Sequence, residues 1–257
     1  MDRIARSEEL GQKIQVTMAD TRLPDGRVLT EEELDALKRE ARSWVRRMLE
    51  SACIPCSRHA EEAVERAIAQ IVGIYVSYGY VWNGRLELTR QGESERKKVI
   101  DALIHSLESL CYAYAAAAEQ DEDEKTALLL WLKGEYHGST TDSRIAAAVG
   151  KLSDGVATII EGDALSNGGI IPSDIAVAVT AVVGVKGIRR LLESEVTRGW
   201  QHKWGKDHGD AMFVHVFRGS SYPCDTCDDI VALGWQLVGG AIVPPIHPNC
   251  KCYTVYI

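Results

Sequence analysis

The chain has 257 residues, 46% hydrophobic and 26% charged, with a formal net charge of −8 at pH 7. That length allows one large domain or two modest ones, and the negative balance gives no bulk attraction to nucleic acid or anionic lipid. Met1-Asp2-Arg3-Ile4-Ala5-Arg6 lacks the apolar segment of a secretory signal, and the nearest approach to a membrane span, Ile170 to Val185, is short and contains Pro172, Asp174 and Gly184. The expectation is a protein made in a reducing cytosol with no membrane partner, where clustered cysteines mark metal binding or redox chemistry more often than disulfides.

In chain order, residues 12–29 read as a short β-hairpin or extended arm. Ile14, Val16 and Met18 alternate with polar neighbours, and Pro24-Asp25-Gly26 signals a turn. Thr30 and Glu33 fit a capping box opening a helix that keeps apolar spacing to about residue 51. A break is expected at Cys53-Ile54-Pro55-Cys56, followed by a helix from about Arg58 to Tyr78. Gly79 to Gly92 reads as irregular, with Asn83-Gly84 as a turn. Helices follow over about 93–119, from Asp121 to near Gly134, and over 142–161. The acidic run Asp121-Glu122-Asp123-Glu124 suits the positive end of a helix dipole.

Asn167-Gly168-Gly169 reads as a linker, Pro172 as the start of a further helix, and 187–203 as the last long one. Met212 to Phe217 reads as a strand, Trp235 to Val243 as a β-hairpin through Gly239-Gly240, and Tyr253 to Ile257 as a final strand. The expected fold class is therefore mainly α. A multi-helix body over 1–186 carries the arm at 12–29, and a small α+β module over 187–257 carries a candidate zinc staple. Arg42, Arg46 and Arg47, and Arg189, Arg190 and Arg198, read as solvated helix faces. Glu195 and Arg198 have the spacing of an i,i+3 ion pair.

Four of the seven cysteines crowd into the last 34 residues. Cys224 and Cys227 form a C-x-x-C pair, Cys250 and Cys252 a C-x-C pair, and His247 stands three residues before Cys250. Structural zinc takes four such ligands, commonly two from each of two turns. The preferred set is Cys224, Cys227, His247 and Cys250, with Cys252 as the alternative ligand. Reduced thiols or disulfides are the rival readings. A module with so little apolar material gains from a metal staple.

Cys53 and Cys56 have redox-motif spacing but no βαβ context, so they read as ordinary cysteines in an interhelical turn, with His59 on the surface nearby. Glu193, Glu195, His202, His208 and Asp210 can be assembled into a catalytic set, but scattered carboxylates and histidines usually occupy solvated faces. No phosphate cradle or nucleophile elbow is present. The chain therefore reads as carrying no catalytic and no cofactor-binding residues.

Three pieces in the tail occur in a set order: Leu192-Glu193-Ser194-Glu195-Val196-Thr197-Arg198-Gly199-Trp200; Cys224-Asp225-Thr226-Cys227; and Pro244-Pro245-Ile246-His247-Pro248-Asn249-Cys250-Lys251-Cys252. Together, over roughly residues 187–257, they resemble the phage Mu F-protein-like family of minor head, or head morphogenesis, proteins. Glu193 stands where an arginine is usual in that family, and Trp200 and Lys251 are mild substitutions. The resemblance implies a viral protein of a bacteriophage or prophage, assembled in the bacterial host cytoplasm. It would reside in the virion, in the capsid interior or at the portal vertex. Its partners would be the portal or major capsid protein, and its role to assist head assembly, DNA packaging or ejection. The alternatives are a phage-associated toxin or effector enzyme with its active region in the helical body, or an ejection factor that contacts DNA.

Overall fold

The computed structural model describes residues 21–136, 138–167, 185–247 and 250–257. The protein is mainly helical, with little strand and a Cys/His cluster near its C-terminus. Internal contacts distinguish two compact units. One comprises Met1–Arg46, Gly205–Ile246 and Cys250–Ile257; the other comprises Arg47–Trp204 with His247–Asn249. Of the linker expected at Asn167-Gly168-Gly169, Asn167 ends a helix; residues 168–184, with most of the helix expected from Pro172, and the arm's residues 12–20 lie outside the described residues. The rest of the arm bridges Arg22 to Val28 around the Pro24-Asp25-Gly26 turn, where Gly26 has φ 90°.

Helix α1, Glu31–Met48, starts at the expected capping box. The Thr30 amide donates to Glu33 Oε2 at 2.8 Å, and the Glu33 amide donates to Thr30 Oγ1 at 3.2 Å. No break separates α1 from the next helix. A π-helical segment, Leu49–Cys53, leads directly into α2, Ile54–Tyr78. Pro55 explains the difference. It has no amide to donate to the carbonyl four residues back, so the ladder steps to a wider turn and the Ile54 amide bonds Leu49 O.

In the second unit, the stretch read as irregular is a hairpin of β1, Gly79–Trp82, and β2, Arg85–Leu88. Asn83 at φ 47° and Gly84 at φ 73° supply the two left-handed residues that such a two-residue loop requires. Thr89 caps α3, Arg90–Ala116, through the Gly92 amide, and Asp121 caps α4, Glu122–Lys133, through the amides of Asp123 and Glu124. Helix α5 spans Thr141–Asn167. Leu103, Leu107, Cys111 and Ala115 form one buried stripe of α3, and Ile145, Val149, Leu152, Val156 and Ile160 one of α5. Helix α2 packs against α3 and both pack against α5, which closes an apolar core. Each fully buried Leu or Ile contributes about 1.5–3 kcal/mol relative to exposure.

Helix α6, Val185–Asp207, is buried from Glu195 to Gln201. Gly199 lets it approach closely: a β-carbon there would stand 3.0 Å from Ala115 Cβ and 3.2 Å from Leu132.

The first unit contains a three-stranded sheet in the order β4-β3-β5, made of Gln236–Leu237, Phe213–Phe217 and Tyr253–Tyr256, with antiparallel pairing throughout. Helix α7, Asp225–Ala232, packs on β3. The expected hairpin over Trp235 to Val243 is absent. Gln236 and Leu237 pair with β3 instead, and the chain turns through the 3-10 segment Val238–Gly240. A Gly-Gly pair forms strand poorly, and Pro244-Pro245 offers no amide for a second arm.

Candidate metal centre

The four cysteines of the cluster stand on neighbouring pieces of the first unit. Cys224 is the N-cap of α7 and Cys227 lies in its first turn. Cys252 immediately precedes β5, and the pairing Phe217↔Tyr253 fixes that strand on β3. Extending this register by two residues places Lys251 opposite Gly219. A β-carbon on Gly219 would lie 1.6 Å from Lys251 O, so only glycine admits the chain there. The Arg218 guanidinium ties the end of β3 to α7, donating to Cys224 O at 3.1 Å and Asp228 Oδ1 at 2.9 Å. It also donates to Tyr222 O.

The predicted donors fall into two sets that share Cys227. Ligand atoms of Cys224, Cys227 and His247 lie within 4.8 Å of one another, as do those of Cys227, Cys250 and Cys252. Cys227, Cys250 and Cys252 are buried, while Cys224 and His247 are half-buried. The Cys227 and Cys250 sulfurs are 3.9 Å apart. A tetrahedral ion with sulfur ligands at about 2.3 Å separates them by about 3.8 Å. The spacing therefore suits a metal, and all the cysteines are free thiols.

The electrostatics point the same way. The Cys250 thiol is lowered to about 5, chiefly because the Cys252 thiol hydrogen-bonds to its thiolate, with help from main-chain groups of Ile246 and Cys252. Cys252 is raised, mainly by that same bond, and Cys227 is raised to about 12, mainly by burial. Of the three buried thiols, Cys250 is thus favoured as the thiolate, while Cys227 and Cys252 are disfavoured. A dication supplies the compensation that lets several thiols ionise together. The Cys/His cluster can hold a metal ion.

Cys53 and Cys56 do not join it. They lie buried in the helical unit, where Cys53 Sγ contacts Thr197 Oγ1 at 3.6 Å. They occupy a continuous helical path rather than a turn, and burial pushes the Cys56 thiol up to about 12, the opposite of redox activation. His59 is half-buried, and its Nδ1 meets Tyr114 OH at 2.7 Å.

The pattern did not reveal a buried polar network in the helical unit. Glu195 and Arg198 do form the expected ion pair, at 3.0 Å, but each is only 4% exposed, so Arg198 is no solvated residue. Arg144 binds the other oxygen of Glu195 at 2.7 Å. Thr141 Oγ1 donates to Glu195 Oε2 at 2.8 Å, and Arg198 donates to Leu132 O at 2.8 Å. The rings of Trp131 and Tyr136 lie 4.9 and 4.8 Å from the Arg198 guanidinium. Period alone cannot separate a buried i,i+3 pair from a surface one. The signal available was the small Gly199 beside it, which brings backbones close.

Among the described residues no helix is long and apolar enough to cross a membrane. Compared with protein-family models, curated proteins and solved structures, the chain matches none of them.

Proposed function

We propose that this protein is a minor capsid component of a phage or prophage, bound to the portal or the capsid interior, and that its cysteine cluster holds a structural zinc ion. The observation that carries the reading is the convergence of the tail's signature segments. The C-x-x-C turn and the Cys-Lys-Cys ending, 23 positions apart from Cys227 to Cys250, pack into one small core with Val216 and Ile230. The third resembling segment, Leu192 to Trp200, forms a buried helical stretch whose Glu195 and Arg198 are fully engaged. Both features favour residues kept for architecture over residues presented to a substrate.

Thiolate ligands and neutral imidazole suit zinc, which has no redox chemistry and accepts tetrahedral sulfur. The ion would be a staple, replacing core volume that this small unit lacks.

Co-expression with phage portal and major capsid proteins tests the assignment. Retention of this chain on tagged portal, and its presence in purified procapsids, is the expected result. A chain found only outside particles, with no retention on either protein, would overturn it.

A further inference from the structure

We infer that the outer edge of β1 is a self-association surface, on which a second copy of this chain adds its own β1 as the next antiparallel strand. The hairpin is a two-stranded sheet, so among the described residues no strand pairs with the outer side of β1. Tyr80, Val81 and Trp82 are 43, 51 and 60% exposed. Edge strands are ordinarily blunted by charge, by proline or by a covering element. Gly79-Tyr80-Val81-Trp82 carries neither charge nor proline.

The hydrogen-bond pattern of the hairpin shows which main-chain groups face that edge. Antiparallel pairs alternate between bonded and non-bonded, and the Thr89 amide donates to Tyr78 O at 3.1 Å, just beyond the pair Gly79↔Leu88. Counting along the register, Tyr80↔Glu87 and Trp82↔Arg85 are bonded pairs and Val81↔Leu86 is not. Leu86 agrees, since its amide leaves the ladder and donates to Glu161 Oε1 at 3.2 Å. The N–H and C=O of Val81 therefore point away from β2, toward the open edge.

The occupant follows from the pattern of β1 itself. A twofold axis at Val81 pairs it with Val81 of the second copy, each amide donating to the other carbonyl, and sets Tyr80 opposite Trp82 twice. Side chains alternate between the two faces of the enlarged sheet. On one face a row runs from Leu86 through Val81 to Val81 and Leu86 of the second copy, all aliphatic. On the other face each row runs from Glu87 through Tyr80 to Trp82 and Arg85 of the second copy. Aromatic rings meet at the centre, where cross-strand aromatic pairs are favourable, and the charges fall at the rim with unlike signs at the two ends of each row. No like charges face each other across the axis. The Tyr80 hydroxyl already donates to Glu87 Oε2 at 3.1 Å, which sets that ring in place. A four-residue strand falls short of the roughly 1,000 Å2 that a stable interface buries, so this association is weak and concentration-dependent.

Sedimentation of the full-length protein over a range of concentrations tests the inference. A reversible monomer–dimer equilibrium is expected. Val81→Pro removes the outward amide without taking a bond from the hairpin, and should weaken dimerisation by about tenfold or more, the loss expected for one or two hydrogen bonds. Val81→Lys and Val81→Glu each put like charges across the axis and should sediment as monomers. Mixed together they should associate again, because unlike charges then meet at the axis. Circular dichroism checks that each variant keeps its helices; if Val81→Pro does not, the Lys and Glu variants decide alone. A wild type monomeric at every soluble concentration overturns the inference, as does a dimer that survives these substitutions, or Lys and Glu variants that stay apart on mixing. A monomeric wild type that binds portal or capsid protein, and loses it in Val81→Pro, gives the edge to a foreign strand and equally overturns it.

Discussion

Gly219 and Lys251 face each other across the continuation of the β3–β5 pair, so close that the Lys251 carbonyl occupies the place of a side chain at position 219. Gly219→Ala must displace backbone rather than a flexible side-chain tip. We expect it to cost about 1–3 kcal/mol and to weaken retention of the proposed metal against a chelator. The control is Gly150→Ala, in mid-α5, where a β-carbon meets nothing within 4 Å. That change is expected to stabilise the protein by about 0.5–1 kcal/mol. Equal melting temperatures for the two variants would contradict the packing described.

Replacing Cys224 and Cys250 together with serine removes a sulfur from each turn. If the cluster holds zinc as proposed, elemental analysis should show it gone, and the signal of buried Trp235 should melt earlier than in wild type. A double variant that melts like wild type, from metal-free protein, would end the staple idea.

Arg198→Ala leaves Glu195 buried with Arg144 as its remaining ion-pair partner, and strips a donor from Leu132 O and Thr141. Breaking a buried pair in this way costs about 3–5 kcal/mol. Urea unfolding should show a lower midpoint. The double variant Glu195→Gln/Arg198→Met should lose less than the sum of its single changes, because each single change strands the other partner.

His202 stacks on Trp131 with ring centroids 3.9 Å apart. Burial, and then the Arg198 cation, lower its pKa below the ordinary 6.5. The folded state therefore binds the proton less well than the unfolded state, and this contribution to stability is lost as pH falls below about 6.5. His202→Gln should flatten that part of the pH–stability curve. Histidine proton shifts read by NMR give the direct check; a His202 titrating above 6.5 would refute it.

Leu107 is fully buried in α3, whereas Asp121 caps α4 in solvent. Leu107→Ala should cost about 2–5 kcal/mol, and Asp121→Ala about 0.5–2 kcal/mol. Reversal of that order in chemical denaturation would place the core elsewhere.

Helices announced themselves in the sequence where apolar spacing and caps agreed, as at Thr30 and Asp121. The residues of the Cys/His cluster were legible too, because C-x-x-C and His-Pro-Asn-Cys-Lys-Cys are local patterns. The misreadings came from competition that no local pattern records. Pro55 looked like a terminator but is absorbed by a wider helical turn. The strands flanking Asn83-Gly84 are only four residues each and mostly exposed up to the buried Leu88, so no alternation announced them. Trp235 to Val243 seemed self-sufficient, yet β3 offered Gln236 and Leu237 a better partner.

The hydrogen bond from Arg42 Nε to Tyr253 OH, at 3.0 Å, joins residues 211 positions apart, and Lys38 lies 4.3 Å from the centre of the Phe217 ring. A fragment cut out to begin near residue 187 would carry every cysteine of the cluster yet strip two cations from its aromatic rings. Anyone wishing to study the sheet by itself should splice residues 21–46 to 205–257 rather than truncate.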